Sequence, residues 1–231
     1  MKFEVIYVIG ISIADSSEWK VILNYYNIDN HECRKFPFGE YFKLSLYNKE
    51  LLFYSCDIRK VKSSASTQYM IDHFDLEKII VVGTCAGIDS NYDKLDVFFP
   101  DKLVQYDCNV KGIGPLINDE YTVCLNTTNF PNLKTGTLAT GDKFVALWED
   151  YIELKNNDIT IADMESAAIG LVCKLNNVEC VVVKGITDYP IDENNVYDEQ
   201  MNTFEINTPL VMKKILDDYL EFAIKNKFEY I

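Results

Sequence analysis

The sequence has few of the residues from which metal centres and hydrolytic triads are built. It contains two histidines, His31 and His73, and its seven cysteines form no CxxC pair. Patterned zinc sites need cysteines or histidines at short spacing, and a serine triad needs a histidine. The pattern therefore argues against catalytic zinc and against a serine triad, and it favours chemistry carried by carboxylates and backbone groups.

Basic residues are also scarce, with 22 Lys+Arg against 36 Asp+Glu and a net charge of −14. Nucleic-acid binding rests on clustered cations, and none are found, so we expect a small-molecule partner and no nucleic acid. No apolar run reaches the roughly 18 residues that a membrane span requires, so no membrane partner is expected. The N-terminus lacks a signal-peptide cleavage site and the scattered cysteines are typical of buried reduced thiols, which together predict a soluble, cytoplasmic protein.

The order of hydrophobic runs predicts the fold class. No repeat and no Pro/Gly/Ser-rich linker interrupts the 231 residues, so residues 1–231 are predicted to form a single domain. Runs of β-branched residues alternate with amphipathic segments, which predicts an α/β protein with a twisted, mixed, mostly parallel sheet flanked by helices. The main predicted elements are strands at Phe3–Gly10, Lys78–Thr84 and Glu179–Thr187, and helices at Glu165–Leu175 and Pro209–Ile224.

Ligands of such sheets bind at the carboxyl ends of the strands, which directs attention to four places. Two of these places follow Gly10 and Gly83, and the other two are Asp163–Glu165 and Asp188. A carboxyl group half-buried at a strand end has a raised pKa, so Asp188 suits a proton donor. The alternative is an Asx turn before Pro190.

The other strand ends also allow two interpretations each. We favour helix capping for Asp163, whereas Glu165 either caps the helix or projects into the crevice and holds a diol. The small residues of Gly83–Gly87 predict a turn that lets backbone or the Thr84 hydroxyl approach a ligand. Cys85 as a nucleophile has little support, because no motif ties a histidine to it.

Four motifs in order resemble those of one known family. The chain resembles the nucleoside phosphorylase/nucleosidase superfamily, and most closely the 5'-methylthioadenosine/S-adenosylhomocysteine nucleosidases. The resemblance implies a three-layer fold and hydrolysis of the N-glycosidic bond with release of adenine, without a metal or organic cofactor. The motifs that carry it are GTCAG at 83–87, TGDKF at 140–144, ADMESAA at 162–168 and VVKGITD at 182–188.

The same resemblance implies roles for particular residues. Asp188 would protonate N7 of the purine with Thr187 orienting it, while an anionic Glu165 would grip the ribose hydroxyls beside the Met164 backbone. The 5' substituent would need an apolar pocket that includes Tyr197 or Phe204. The remaining implied contacts are stacking of the base on Phe144, backbone recognition of the base edge by Val145, and ribose or purine contacts from Thr84 and Cys85.

The residue that activates the nucleophilic water is expected in the segment after the first strand. The family's water-activating glutamate lies in this loop, here predicted as a long loop over Ile11–Trp19. Glu18 is the preferred candidate and Asp15 the second, and both also fit solvated loop carboxylates.

Phosphate is disfavoured as the nucleophile. The first loop has no arginine, and Arg59-Lys60 is interpreted as a solvated basic pair, so hydrolysis by water is favoured. A purine nucleoside phosphorylase and a non-catalytic nucleoside-binding protein remain the alternatives. The expected partners are a small-molecule purine nucleoside and a second copy of the chain in a homodimer.

Overall fold

A computed structural model describes residues 8–108, 119–190 and 197–231, and its strands form one eleven-stranded sheet. In chain order the strands are β1 Val8–Ile13, β2 Arg34–Phe36, β3 Gly39–Leu46, β4 Lys49–Ser55, β5 Leu76–Gly87, β6 Val97–Phe98, β7 Lys102–Gln105, β8 Val123–Cys124, β9 Thr137–Thr140, β10 Ile161–Asp163 and β11 Glu179–Asp188. The helices are α1 Ser16–Tyr26, α2 Lys60–His73, α3 Trp148–Lys155, α4 Ser166–Leu175, α5 Tyr197–Lys214 and α6 Leu220–Lys225.

Strand β5 is the centre of the sheet. It pairs in parallel with β1 on one side and β11 on the other, and β4 continues the parallel run beyond β1. The end of β5 also pairs antiparallel with β10, and β3 joins β4 antiparallel. The predicted α/β class with a mixed sheet flanked by helices is confirmed.

Alternation along β5 explains why both faces of the sheet are covered. Ile80 and Val82 pack in one cluster with residues of α1 and α5, whereas Ile79 and Val81 pack in another with residues of α2 and α4. Successive side chains of a strand point to opposite faces, so a continuous apolar run requires a layer of helices on each side. The continuous Ile/Val composition of this run is the physical basis of the layered architecture.

Two predicted strand ends are wrong. Residues 3–7 of the first predicted strand lie outside the described residues, and β1 continues past Gly10 to Ile13 because its backbone stays paired with β4 as far as Ser55. The small-residue turn predicted at Gly83–Gly87 is also strand, since β11 and β10 pair with this end of β5.

The long loop predicted over Ile11–Trp19 is wrong as well. Only Ala14 and Asp15 separate β1 from α1, and Asp15 is the N-cap of that helix. The Asp15 side chain accepts from Ser17 N at 2.7 Å, and Glu18 accepts from Asp15 N at 3.1 Å. This reciprocal capping box stabilises the first turn of α1 and places Glu18 inside the helix rather than in solvent.

The C-terminal helix begins much earlier than predicted. Helix α5 starts at Tyr197, runs through Pro209, and leads through a π-helical turn at Ile215–Tyr219 into α6. Helix α5 buries the polar residues Gln200 and Thr208 before it reaches the buried apolar Val211 and Met212, so its earlier turns lack the apolar period that predicts a helix.

Two further properties of the chain follow from the structure. All seven cysteines are free thiols, and four of them are buried while Cys108 is exposed. Among the helices in the described ranges, none combines the length and the apolar character needed to cross a membrane.

Candidate active site

One cavity of about 270 Å³ lies where β1, β10 and β11 end against the last residues of β5. The structure brings every residue predicted for the site to its wall, and it also places Asp15, Arg59 and Phe204 there. The individual roles of these residues remain predictions. The predicted residues on the wall are Glu18, Thr84, Cys85, Phe144, Val145, Met164, Glu165, Thr187, Asp188 and Tyr197.

Asp188 is a buried carboxyl group at the end of β11. Thr187 Oγ1 donates to one of its oxygens at 2.6 Å, and Gln200 Nε2 donates to the other at 2.7 Å. Burial raises the pKa of Asp188, against the lowering effect of these two hydrogen bonds. Within the described part of the chain no backbone amide donates to this carboxyl, as an Asx turn would require, so the geometry favours the proton-donor interpretation.

Gln200 is a site residue that the sequence analysis missed. Its amide nitrogen donates both to Asp188 and to the carbonyl oxygen of Val145, the latter at 3.0 Å. Because the carbonyl oxygen of Val145 can only accept, the amide nitrogen must be the atom that faces it. The signal was absent from the sequence because the segment that carries Gln200 has no helical period.

Glu18 is completely enclosed beside β5. Thr84 donates to Glu18 Oε1 twice, from its backbone nitrogen at 2.6 Å and from its hydroxyl at 2.7 Å. Burial raises the pKa of Glu18, while the charge of Lys184 opposes this shift. A Cβ on Gly83 would lie 2.8 Å from Glu18 Oε1 and 3.0 Å from Lys184 Nζ, so only glycine lets both groups approach the strand this closely.

Lys184 forms a buried ion pair behind the cavity. Its ammonium lies 3.1 Å from Asp163 Oδ2, and both side chains are 2% exposed. Burial lowers the pKa of Lys184, but the charges of Asp163, Glu18 and Glu165 outweigh it and the net shift is upward. Lys184 therefore stays charged and stabilises the anionic forms of the carboxyl groups around it.

Asp163 has the capping role that the sequence favoured. It accepts from the backbone nitrogens of Glu165 and Ser166, at 3.3 and 3.2 Å, and from the Thr140 hydroxyl at 2.6 Å. These bonds satisfy amides that the start of α4 leaves unpaired. Asp163 thus anchors α4 to β9 and β10.

Glu165 does not cap the helix with its side chain. It occupies the N-cap position of α4, but its carboxyl accepts from Arg59 N at 2.7 Å across the fold. Burial, followed by the neighbouring charge of Asp163, raises the pKa of Glu165 to about 8. Burial thus favours the protonated form of Glu165 in the free protein, whereas the role implied by the resemblance uses the anionic form.

Glu165→Gln is expected to flatten the pH dependence of stability. The folded-state pKa of about 8 lies above the ordinary value of 4.5, so protonation favours the folded protein. This contribution is fully present below the unfolded pKa and is lost as the pH rises through the folded value. The variant amide keeps an acceptor for Arg59 N and carries no titrating proton.

Melting temperatures measured at about pH 5 and about pH 8 test this expectation. The difference in Tm between Glu165→Gln and the wild type should become more favourable to the variant as the pH rises. Glu149→Gln, on an exposed position of α3, serves as the matched control. Equal differences at both pH values would show that Glu165 titrates normally in the folded protein.

The remaining wall of the cavity is mostly apolar or aromatic. Phe144 is half-buried, and its ring contacts the ring of Tyr197 edge-on with 5.8 Å between the ring centroids. Tyr197 is 52% exposed. Cys85 is buried, and burial raises the pKa of its thiol well above the ordinary value. A thiol that stays protonated is a poor nucleophile, so Cys85 contributes to the wall and not to covalent chemistry.

Of the predicted solvated pair Arg59-Lys60, only Arg59 is exposed. Lys60 is mostly buried and pairs with Asp107 at 2.5 Å, while Arg59 lies on the cavity wall. The two residues differ because neighbours in sequence at a helix start point in different directions.

Comparison with known families defines the class of protein. The family model of the phosphorylase superfamily matches residues 8–221, and the chain belongs to this superfamily. The resemblance predicted from the four motifs is confirmed.

Two relatives within this superfamily are nucleosidases. The chain is 26% identical over 208 residues to the 5'-methylthioadenosine/S-adenosylhomocysteine nucleosidase of Geobacillus sp., covering 82% of this chain and 90% of the relative. It is 25% identical over 229 residues to the aminodeoxyfutalosine nucleosidase of Helicobacter pylori, covering 91% and 98%. Nucleosidases are N-glycosyl hydrolases, and the enzyme class predicted from the sequence agrees with theirs.

A solved structure shows the same fold. The chain aligns with the 5'-methylthioadenosine/S-adenosylhomocysteine nucleosidase of Helicobacter pylori bound to butyl-thio-DADMe-Immucillin-A, with a TM-score of 0.76 and 23% identity. The alignment covers 93% of this chain and all of the other. The architecture described above is therefore that of a known nucleosidase.

Proposed function

We propose that this protein hydrolyses the N-glycosidic bond of 5'-methylthioadenosine, S-adenosylhomocysteine or both, releasing adenine. The observation that carries the proposal is one cavity walled by three buried carboxyl groups, Asp188, Glu18 and Glu165, each with a raised pKa. Groups so perturbed around one cavity are typical of acid–base catalysis. The names of the relatives supply the substrate class.

Asp188 acts on the leaving group in this mechanism. Burial raises its pKa and so favours the protonated carboxyl, whose proton passes to N7 of the purine as the C1'–N9 bond breaks. Thr187 and Gln200 hold the two oxygens, so the carboxyl is oriented before the substrate arrives. The nearby Phe144 and the Val145 backbone form the place for the base.

Glu165 acts on the sugar. As the bond to the base breaks, positive charge develops on the ribose. This positive charge in the cavity favours the anionic form of Glu165. The same carboxylate holds the ribose hydroxyls, with the Met164 backbone beside it. Loss of this group is expected to lower kcat and raise KM together, because it contacts the substrate before and during the reaction.

Glu18 acts on the nucleophile. It takes a proton from a water molecule whose oxygen bonds to C1', so the products are adenine and the free thioribose. The adjacent ammonium of Lys184 favours the charged form of Glu18 and so supports its role as a base. Asp188 supplies one proton and Glu18 receives one, so the site returns to its starting state by exchange with solvent.

The geometry supports water over phosphate. Lys184 is engaged by Asp163, and the segment between β1 and α1 offers only Ala14 and Asp15. Of the two cations among the described residues that wall the cavity, Lys143 is paired with Asp150, so a phosphate beside Glu18 would find only Arg59 unpaired. The homodimer, the single domain and the cytoplasmic location remain predictions.

Adenine release should proceed at the same rate with and without phosphate. Purified protein is incubated with 5'-methylthioadenosine in phosphate-free and phosphate-containing buffer, and free adenine is measured by chromatography. Release only with phosphate would mean a phosphorylase. Binding without release, measured by calorimetry on the same preparation, would mean a nucleoside-binding protein.

A further inference from the structure

Arg59 adopts a backbone conformation that arginine rarely takes. Its φ of 77° and ψ of 162° fall in a region occupied almost only by glycine. Two hydrogen bonds hold it there: its nitrogen donates to Glu165, and its carbonyl accepts from Ser63 N at 3.1 Å. Glycine would make the same two backbone hydrogen bonds without strain, so these bonds do not explain why an arginine stands at this position.

The side chain of Arg59 differs from the other cations near the cavity. Lys143 pairs with Asp150 at 2.6 Å, and Lys60 pairs with Asp107 at 2.5 Å. Arg59 is exposed and lies on the cavity wall, and in the ranges the structure covers no carboxylate pairs with its guanidinium. In a chain with only two arginines and an excess of acidic residues, this unpaired guanidinium is available to a ligand.

The position of Arg59 indicates which part of a nucleoside it meets. Under the proposed function, on which this inference rests, the base lies at Asp188 and the ribose hydroxyls at Glu165. Arg59 N donates to Glu165, and Arg59 lies beside Ile58, which is 38% exposed. The 5' substituent is the part of the nucleoside that points away from the base, so it is the part left to reach this exposed wall.

We propose that Arg59 is a specificity-determining residue that binds a carboxylate on the 5' substituent of the nucleoside. A guanidinium presents two parallel N–H donors that match the two oxygens of a carboxylate. S-adenosylhomocysteine carries such a carboxylate and 5'-methylthioadenosine does not. Arg59 therefore favours nucleosides with an acidic 5' substituent over those with a plain alkylthio group.

Arg59→Gly tests the proposal without endangering the fold. Glycine adopts the observed φ and ψ freely and keeps the amide that Glu165 accepts from, so Tm should be equal to or above that of the wild type. The ratio of kcat/KM for S-adenosylhomocysteine to that for 5'-methylthioadenosine should fall by about 10-fold to 100-fold. The ratio of Kd values for the two nucleosides, measured by calorimetry, should shift in the same direction.

Two controls make the result specific. Arg34→Ala removes the only other arginine of the chain, which lies on β2, outside the residues that wall the cavity. Lys143→Ala removes a cation from the same wall that is already paired. Both variants should keep the wild-type ratio, whereas Arg59→Lys should keep part of the preference through its charge.

The outcomes separate this inference from the proposed function. If both nucleosides are cleaved and Arg59→Gly leaves both ratios unchanged, the carboxylate assignment is overturned while the nucleosidase stands. If neither nucleoside is cleaved, the proposed function fails, and the ratio of Kd values alone decides whether Arg59 binds the carboxylate. If phosphate accelerates adenine release and Arg59→Gly removes that acceleration, Arg59 serves phosphate and the assignment is overturned.

Discussion

Asp188→Asn is expected to lower kcat for adenine release by about 10²-fold to 10⁴-fold while nucleoside binding persists. The amide has the shape of the carboxyl and keeps an acceptor for Thr187, but it cannot pass a proton to purine N7. Because Asp188 is buried, no water can readily replace it as the acid. Initial rates at saturating 5'-methylthioadenosine and calorimetric Kd values measure the two effects separately.

A control and a second readout test the assignment of Asp188. Asp93→Asn changes an exposed carboxylate outside the cavity and should leave kcat and Kd at wild-type values. Near-wild-type kcat in Asp188→Asn would show that the acid is another group. A loss of binding as large as the loss of rate would show that Asp188 holds the base and does not protonate it.

Glu18→Gln is expected to lower kcat by a similar factor, about 10²-fold to 10⁴-fold, with little change in KM. The amide keeps an oxygen that accepts from Thr84 N and Thr84 Oγ1 and loses only the acceptor for Asp15 N, but it cannot take a proton from water. The pKa of Glu18 is raised, so the wild-type kcat should increase as the pH rises through it. This increase of kcat with pH should be absent in the variant.

Asp15→Asn is the matched control for Glu18. Asparagine is as good an N-cap as aspartate, so helix α1 and the capping box should persist. We expect wild-type kcat in this variant, because Asp15 is occupied by the helix start. If Asp15→Asn loses the activity that Glu18→Gln retains, the water-activating base is Asp15 and the assignment of Glu18 is wrong.

Much of the site was predictable because parallel strands end at one edge of a sheet. Apolar runs that end at Asp163 and Asp188 were readable as strands from their composition, and the rule then placed their ends together. The spacing of Glu165 and Asp188 carried the family resemblance. Prediction worked for these two strands because local side-chain patterns mark where they end, whereas the ends predicted at Gly10 and Gly83 were wrong.

Other features depended on contacts between residues far apart in sequence. Gln200 joins the site because α5 packs against β11, and its own segment shows no helical period.

The segment after the first strand was wrongly predicted to be a loop, although Asp15 and Glu18 have the spacing of a capping box. The strained backbone of Arg59 had no sequence signal at all, because nothing in its neighbours predicts a positive φ.

The sequence by itself determined the fold class, the superfamily and most of the residues that meet at the cavity. Only the tertiary structure decided the protonation, charge and pairing of those residues. Whether Glu165 holds a proton, whether Lys184 stays charged and whether Arg59 is free of a partner depend on burial and on charges brought together from distant parts of the chain. Desolvation and Coulomb energy are properties of three-dimensional surroundings, so a linear pattern names the residues of this site without assigning their charges.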